Sequence, residues 1–591
     1  MSSSGIRDSG FGIRDAGDSA VLLELDAVID RGVNARAIGI AHVIAGSRFA
    51  GVRDVIPTYR SVAVHFDPLA TDVAAVTHAM LEAAHAAPEA PEGALVEVPV
   101  SYGGADGPDL RDVAAFAGLS VRDVIDRHSA VEYRVFMLGF LPGYAYMGIV
   151  DEAIASPRRA TPRTRVPAGS VGIAGRQTGI YPRPSPGGWQ LIGRTSLPVF
   201  DPSRDPASIF APGDRVRFVP SARGADPLGP RGGGPSGPPV NRDLRGPKRS
   251  APHAERSITV LRPGLFTTIQ DTGRWGYQDR GVPVAGPMDV VSHRIANALV
   301  GNSRDAGTLE ATVIGPELRF EQATVVAVTG ADLSASIDEA TLPLNTPRSC
   351  AAGAVLRFGG RRAGARGYIA CDGGVAVPPV LGSRSTHVLS GLGGVDGRAL
   401  AAGDRVPLGD SRTHGVLVAR DLPDLRAAGG VPRELRGGAY KSGERAGARL
   451  RVMRGPQDGC FDDAAFEILQ RARFTISPQS DRMGYRLNGT AILRRAGAPG
   501  PAGTGSLEPA ADMISDATFV GGLQVPRSGD PILLMADRQT TGGYPQMATV
   551  ITADLPVAGQ LAPGDWVEFE LCTREEAIAA LIAQENRLRV R

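Results

Sequence analysis

Two hydrophobic periods alternate along the first hundred residues. Ala20-Val-Leu-Leu-Glu-Leu25 predicts a strand. Ser61-Val-Ala-Val-His-Phe66, apolar at Val62, Val64 and Phe66, predicts a half-buried strand ended by Asp67-Pro68. Val73, Val76, Thr77, Met80 and Leu81 then recur at helical spacing. Strand, helix, strand and helix up to about residue 90 make a small α+β domain. Pro88–Gly93 reads as a short boundary, followed by a strand over 95–100. A helix is predicted from Ser120, with Asp123 three residues on as a capping pair and Val121, Val124, Ile125 and His128 on one stripe. Gly and Pro then punctuate the chain to residue 220. At the far end Thr573-Arg-Glu-Glu576 opens a helix with Ile578, Leu581 and Ile582 on one face.

Repeats refine this picture. Gly5-Ile-Arg-Asp8 recurs as Gly12-Ile-Arg-Asp15, and the first copy is expected to be a disordered extension. Ala211-Pro-Gly-Asp-Arg-Val-Arg-Phe218 recurs as Ala562-Pro-Gly-Asp-Trp-Val-Glu-Phe569, with weaker copies at Ala402–Leu408 and Ala352–Phe358. Each is a glycine turn feeding an alternating strand, and the strongest copies fall at the end of each half. Residues 221–256 hold seven Gly and seven Pro, the composition of a linker. Their Gly232-Gly-Gly234-Pro-Ser-Gly237 matches a dinucleotide fingerprint only formally, having neither a strand before it nor a helix after.

Composition narrows the function. The 591 residues predict three to five domains at roughly 100–200 residues each. A net charge of +2 gives no pull toward nucleic acid. Only Lys248 and Lys441 are lysines. Neither lies in a G-K-[ST] loop, which excludes a P-loop, and neither is flanked by Met, which excludes the usual biotin-attachment site. Cys350, Cys371, Cys460 and Cys572 form no C-x-x-C pair, the nine histidines form no H-E-x-x-H, and no metal or disulfide framework is visible. No apolar run is long enough to cross a membrane and no signal peptide is legible, so a cytoplasmic location is expected.

Three stretches carry residue choices that folding alone explains poorly. Residues 136–148 alternate glycines with aromatics. Residues 157–195 contain Pro157-Arg158, Pro162-Arg163, Gln177-Thr-Gly-Ile-Tyr-Pro182 and Ser185-Pro-Gly-Gly-Trp-Gln190, where arginine forks suit a carboxylate or phosphate. Residues 533–545 deliver Asp537 at the end of an apolar strand, followed by Thr540, Thr541 and a Gly pair. Gln177–Pro182 echoes Gln539–Pro545, suggesting equivalent loops in the two halves. His128, at a helix C-terminus that would raise its pKa, is the general-base candidate.

These segments resemble a known pair of bacterial proteins. From about 12 to 220 the chain is similar to the allophanate hydrolase subunit 1 family (KipI, the B subunit of 5-oxoprolinase). The carriers are Gly17-Asp-Ser-Ala20, Pro57-Thr-Tyr-Arg-Ser61, Gly139–Tyr144, Val166–Val171, Gln177–Pro182 and Pro186–Trp189. From about 257 to 572 it resembles the subunit 2 family (KipA, the C subunit of 5-oxoprolinase). There the carriers are Gln270–Arg274, Gly286–Asp289, Ala296–Asn302, Leu309-Glu310, Gly382–Thr386, Ser480–Leu487, Gln524–Pro526 and Asp537–Pro545. The same modules form the carboxyltransferase part of urea carboxylase. The stretch 496–514 is longer and looser than the family's usual link.

The resemblance implies a β-rich α+β fold: a small α+β domain over 1–92, a cyclophilin-like barrel over 93–220, the linker, further cyclophilin-like barrel units over 257–574, and a helix over 575–591. It implies a component of ATP-dependent 5-oxoprolinase, activating 5-oxoproline for opening to glutamate, with the LamB/YcsF-type 5-oxoprolinase A subunit as partner. Alternatives are a carboxyltransferase served by a separate biotin carrier and a Kip-type regulator of a sensor kinase. ATP with Mg²⁺ is the expected cofactor, no biotin is attached, and a homo-oligomer without nucleic-acid or membrane partners is expected. Asp537 (base or Mg²⁺ ligand), His128 and Arg482 are the expected catalytic residues. Arg163, Ser170, Gln177, Tyr181, Gly187, Gly188, Arg274, Asp289, Asn297, Ser383, Arg384, Arg486, Gln524, Thr540, Gly542, Gly543 and Tyr544 are expected to bind substrate or nucleotide. Asp537→Asn and Arg482→Ala are expected to abolish activity with little effect on the fold.

Overall fold

The computed structural model describes residues 6–8, 10–47, 49–86, 88, 90, 93–221, 256–411, 446–495 and 513–588. The linker core, both lysines and residues 496–512 of the loose stretch lie outside the described residues. No helix among the described residues is long and apolar enough to cross a membrane.

The N-terminal unit is a five-stranded antiparallel sheet covered on one face by helices Arg31–Gly46 and Val73–Ala86. Gly12-Ile-Arg-Asp15 belongs to it, and so do Ile6–Asp8 of the first copy. Ile6–Asp8 pairs antiparallel with Phe11–Ile13, so this part of the expected disordered extension is instead half of a hairpin. Ser61–Phe66 is buried along its whole length rather than on one face. Val62, Val64 and Phe66 face the helices, as the alternation predicts. Ala63 and His65 face the other way, onto Ala517 and Phe519 of a distant segment. The second face is buried by another domain, which a local pattern cannot reveal.

Two closed seven-stranded barrels follow. The first runs from Leu95–Tyr102 to Arg215–Pro220 and the second from Gly447–Arg454 to Trp566–Leu571. Numbering the strands of each barrel in chain order, both have the spatial order 1-6-4-5-3-2-7. In both, the last strand closes the barrel by pairing parallel with the first. Those closing strands are the two strongest repeat copies. All four copies are tight turns with Gly213, Gly353, Gly403 and Gly564 at φ 97°, 84°, 87° and 90°, a region open mainly to glycine. A backbone bond spans each turn, as from Asp214 N to Ala211 O (3.1 Å) and from Asp565 N to Ala562 O (3.0 Å). The weaker copies lead into strands Val355–Phe358 and Arg405–Pro407.

Those weaker copies belong to residues 257–408, where a six-stranded and a five-stranded sheet share a core including Ile258, Val260, Ile269, Leu309 and Val326. Helix Val290–Leu299 packs on the outer face of the five-stranded sheet, against Val325, Ala327 and Tyr368. The closing helix Arg574–Leu588 has the expected cap, Thr573 N to Glu576 Oε2 (2.8 Å) answered by Glu576 N to Thr573 Oγ1 (3.2 Å). Its buried face is Ala577 and Leu581, whereas Ile582 is 45% exposed.

Candidate active site at the seam of the two modules

Arg482 and Asp537 are brought together by the second barrel. Gly484 pairs with Leu534 on neighbouring strands, which places the residues just before one strand beside those just after the other. Arg482 Nε and Nη2 reach the two carboxylate oxygens of Asp537 at 2.9 and 3.0 Å. Its remaining nitrogen reaches Glu310, and Nη2 also donates to Gly286 O at 2.6 Å. Glu310 accepts further bonds from Met288 N (2.9 Å) and Tyr368 OH (2.7 Å). All three charged groups are buried. Burial works against the guanidinium charge, but Asp537 and Glu310 together hold its pKa above the ordinary arginine value. Asp537 spends both oxygens on Arg482, so the expected free base or Mg²⁺ ligand is an ion-paired clamp. Among the described residues no group of three or more His, Cys, Asp or Glu side chains could hold a metal ion.

Next to this clamp, Asp271 gathers a loop. Its carboxylate accepts from Ser383 Oγ (2.5 Å), Ser385 Oγ (2.7 Å) and Arg384 N (2.5 Å). Arg274 donates to Val380 O and Ser385 O at 2.9 and 2.8 Å, stitching the same two segments. Burial lowers its pKa in spite of Asp271 and Asp537. Arg384 keeps a buried Nε without an acceptor among the described residues. Asp289 caps helix Val290–Leu299 through Ser292 and takes Gln560 Nε2 at 2.7 Å. Asn297 fastens the helix end to Ala306 O and Asn302. Arg486 points out of its strand to solvent while Tyr485 and Leu487 face the barrel core. Gln524 Nε2 lies 3.5 Å from Tyr544 O, tying its strand to the 540–545 loop.

In the first barrel His128 is a core residue. It is fully buried between Tyr102 OH (2.8 Å) and Thr178 Oγ1 (2.9 Å), with both ring nitrogens used. Burial pushes its pKa down to about 3, opposite to the rise expected from the helix end, because desolvation outweighs a partial charge at a terminus. Arg163 is held by Asp109 at 2.6 Å, as is Arg159 at 3.0 Å. Ser170 O accepts from Tyr181 N at 2.9 Å. Tyr181 packs against Gly187, where a Cβ would come within 2.8 Å of its ring, and Gly188 O accepts from Arg159 N at 2.8 Å. Tyr144 meets Tyr146, Tyr181 and Trp189 edge to face at centroid distances of 5.0, 5.3 and 5.8 Å. Gln177 sits at the opposite end of its strand from Tyr181, paired with Gly148.

The two modules meet at these loops. A Cβ on Gly139 would run into Thr541 Oγ1, and the Tyr146 phenol lies against the same threonine. Gly143 N donates to Arg280 O at 2.9 Å. Thr540 Oγ1 is buried without a partner among the described residues, Gly543 O accepts from Met513 N, and Tyr544 is 37% exposed. Strand order corrects the proposed echo. Thr541–Gly542 pairs with Asp516–Ala517 between the fifth and sixth barrel strands, and its counterpart in the first barrel is Ser185–Gly187 paired with Arg163–Val166. Gly542-Gly543-Tyr544 thus corresponds to Gly187-Gly188-Trp189, while Gln177–Ile180 is itself a barrel strand.

Besides Glu310 and Asp271, which stood only within family motifs, sequence reasoning left Asp279 and Arg158 off the site. Asp279 stands beside Arg280 at the junction, one carboxylate oxygen buried and unpartnered among the described residues although 33% of the side chain is accessible. Burial, opposed by Arg280, pushes its pKa up to about 6. The other is Arg158. It makes no hydrogen bond or ion pair among the described residues, its Nε is buried, and its charge acts on the phenols of Tyr144, Tyr146 and Tyr181. The Pro157-Arg158 signal was present in the sequence, but nothing there separated it from Arg163.

Comparison with known proteins agrees with this two-part architecture. The family model of the carboxyltransferase domain, subdomain C and D, matches residues 11–210. That of subdomain A and B matches residues 280–571. The 5-oxoprolinase B subunit of Escherichia coli O157:H7 is 46% identical over 211 residues, covering 35% of this chain and 95% of that protein. The 5-oxoprolinase C subunit of Escherichia coli K12 is 36% identical over 329 residues, covering 56% of this chain and 96% of that protein. The crystal structure of TTHA0988 superposes with a TM-score of 0.74 at 32% identity, over 94% of this chain and 100% of that one. The chain therefore belongs to the carboxyltransferase-domain family of the 5-oxoprolinase B and C subunits, with a counterpart of each joined in one polypeptide.

Proposed function

We propose that the chain is the fused B–C component of an ATP-dependent 5-oxoprolinase. The observation that carries this reading is the likeness to both subunits over nearly their whole lengths in a single chain, with the 139–146 and 540–545 loops of the two halves in contact. 5-Oxoproline offers a carboxylate and a lactam. Lactam opening is uphill, so ATP would activate the carbonyl as a phosphorylated lactam, with a LamB/YcsF-type protein delivering water as the third subunit. The chain's own contribution is positive charge without lysine among the described residues, together with a wall of buried tyrosines beside it. Asp537, bound to Arg482, does not fit a Mg²⁺ site. Mixing the chain with the third subunit is expected to give 5-oxoproline-dependent ADP release and glutamate; a silent mixture overturns the reading.

The description of both family models as carboxyltransferase domains favours one second reading, carboxyl transfer to an amide from a separate biotin carrier. Carboxybiotin supplied in place of ATP tests it, and absence of transfer removes it.

A further inference from the structure

Three arginines lie within six positions of one loop, and the structure treats them unequally. Arg159 and Arg163 both bind Asp109. Asp109 in turn spends its other oxygen on Leu191 N at 2.6 Å. Arg158 has no such acceptor among the described residues, and its Nε is sealed from solvent. Arg158 is half-buried, and a guanidinium partly withdrawn from water gains most from an anion that supplies the counter-charge.

The backbone around Arg158 is fixed on both sides. Gly175 N donates to Ser156 O at 2.7 Å, Gln190 Nε2 to Pro157 O at 3.0 Å, and Arg159 N to Gly188 O at 2.8 Å. All three anchors come from the first barrel or the Gly187–Trp189 turn. A side chain whose base is clamped while its head is free is organised in advance for a ligand. The head belongs to the fork-shaped class that takes two oxygens of one anion.

We infer that Arg158 is the oxyanion subsite of the seam, binding a carboxylate or phosphate oxygen pair beside the Tyr144–Tyr146–Tyr181 wall. The subsite stands on the clamped backbone beside the Gly187–Trp189 turn and on the missing acceptor among the described residues; only the choice of 5-oxoproline and ATP as probes rests on the proposed function. The carboxylate of 5-oxoproline and a phosphate of ATP share this chemistry, and the test separates them.

The full chain is titrated calorimetrically with 5-oxoproline, its carboxamide analogue, ATP and inorganic phosphate. Arg158→Ala and Arg158→Lys are compared with wild type, their thermal unfolding serving as the control for folding. The expected result is a loss of roughly tenfold to a hundredfold in affinity in Arg158→Ala. Partial recovery is expected in Arg158→Lys, which keeps the charge but not the fork. Loss confined to 5-oxoproline, with the carboxamide failing to bind wild type, supports the subsite with carboxylate as its ligand. Loss confined to ATP and phosphate supports it with phosphate. Equal binding by wild type and a folded Arg158→Ala chain, or no binding of any probe by wild type, overturns it. Binding does not need the third subunit. A chain that binds through Arg158 but never releases ADP in the mixture therefore overturns the oxoprolinase reading alone.

Discussion

Arg482 places one positive charge between two buried carboxylates, and removing it leaves Asp537 and Glu310 without a cation. Arg482→Ala is therefore expected to lose about 3–5 kcal/mol of stability, read from its denaturation midpoint, instead of sparing the fold. Asp537→Asn should cost less, since Arg482 keeps Glu310. An Arg482→Ala chain that unfolds with the wild type would show that the clamp is not structural. The buried histidines set a pH dependence. His65 and His128 are held near 3 by burial, so both are neutral in the folded chain, whereas the unfolded chain takes up their protons below about 6.5. Stability is complete above that pH and falls as pH drops from about 6.5 toward 3. Thermal unfolding between pH 7 and 4 should fall less steeply in His128→Asn than in wild type. Asp279 acts with the opposite sign. Its raised pKa means that ionising it, as pH climbs from about 3.8 to about 6, costs the folded state.

Turns and strands obey glycine rules of two kinds. At Gly213 a Cβ would have room, its nearest neighbour being Ile38 Cδ1 at 3.6 Å, so the obstacle is the φ of 97°. Gly213→Ala should cost about 1–3 kcal/mol, measured by chemical denaturation, with the barrel otherwise unchanged. At Gly139 the obstacle is space, because Thr541 of the other module occupies the place of the Cβ. Gly139→Ala should wedge the two loops apart and lower 5-oxoproline-dependent ADP release with circular dichroism unchanged, and Thr541→Gly in the same chain should restore it. If the double variant stays as inactive as the single one, the loop contact is not what fails. The turn repeat was readable from Ala-Pro-Gly-Asp alone, since turn chemistry is local. The full burial of Ser61–Phe66 was not, because Ala517 and Phe519 lie some 450 positions away.

Across the whole molecule, the N-terminal sheet rests on the second barrel rather than on the first alone. Asp18 accepts from Thr552 N (3.0 Å) and Oγ1 (2.8 Å), and Ser61 Oγ meets Asp516, while Asp54 accepts from Gly276 N (3.0 Å) of the two-sheet unit. Segments 1–221 and 256–591 expressed as separate chains should therefore copurify, and Asp18→Ala should weaken their association; halves that elute apart would contradict this. The sequence by itself determined the β-rich class, the turns that close both barrels, the two-module order and the family, since these rest on local chemistry and ordered motifs. Even Gly17–Ala20 and Pro57–Ser61 were legible as motifs, though not as docking surfaces. Only the tertiary structure decided which charges are spent and which are free. It pairs Arg482 with Asp537 and Glu310, hands Arg159 and Arg163 to Asp109, seals His128 in a core and leaves Arg158 unpaired among the described residues. The physical reason is that a charge is worth what its partners and its burial make it, and both are set by residues far apart in the chain.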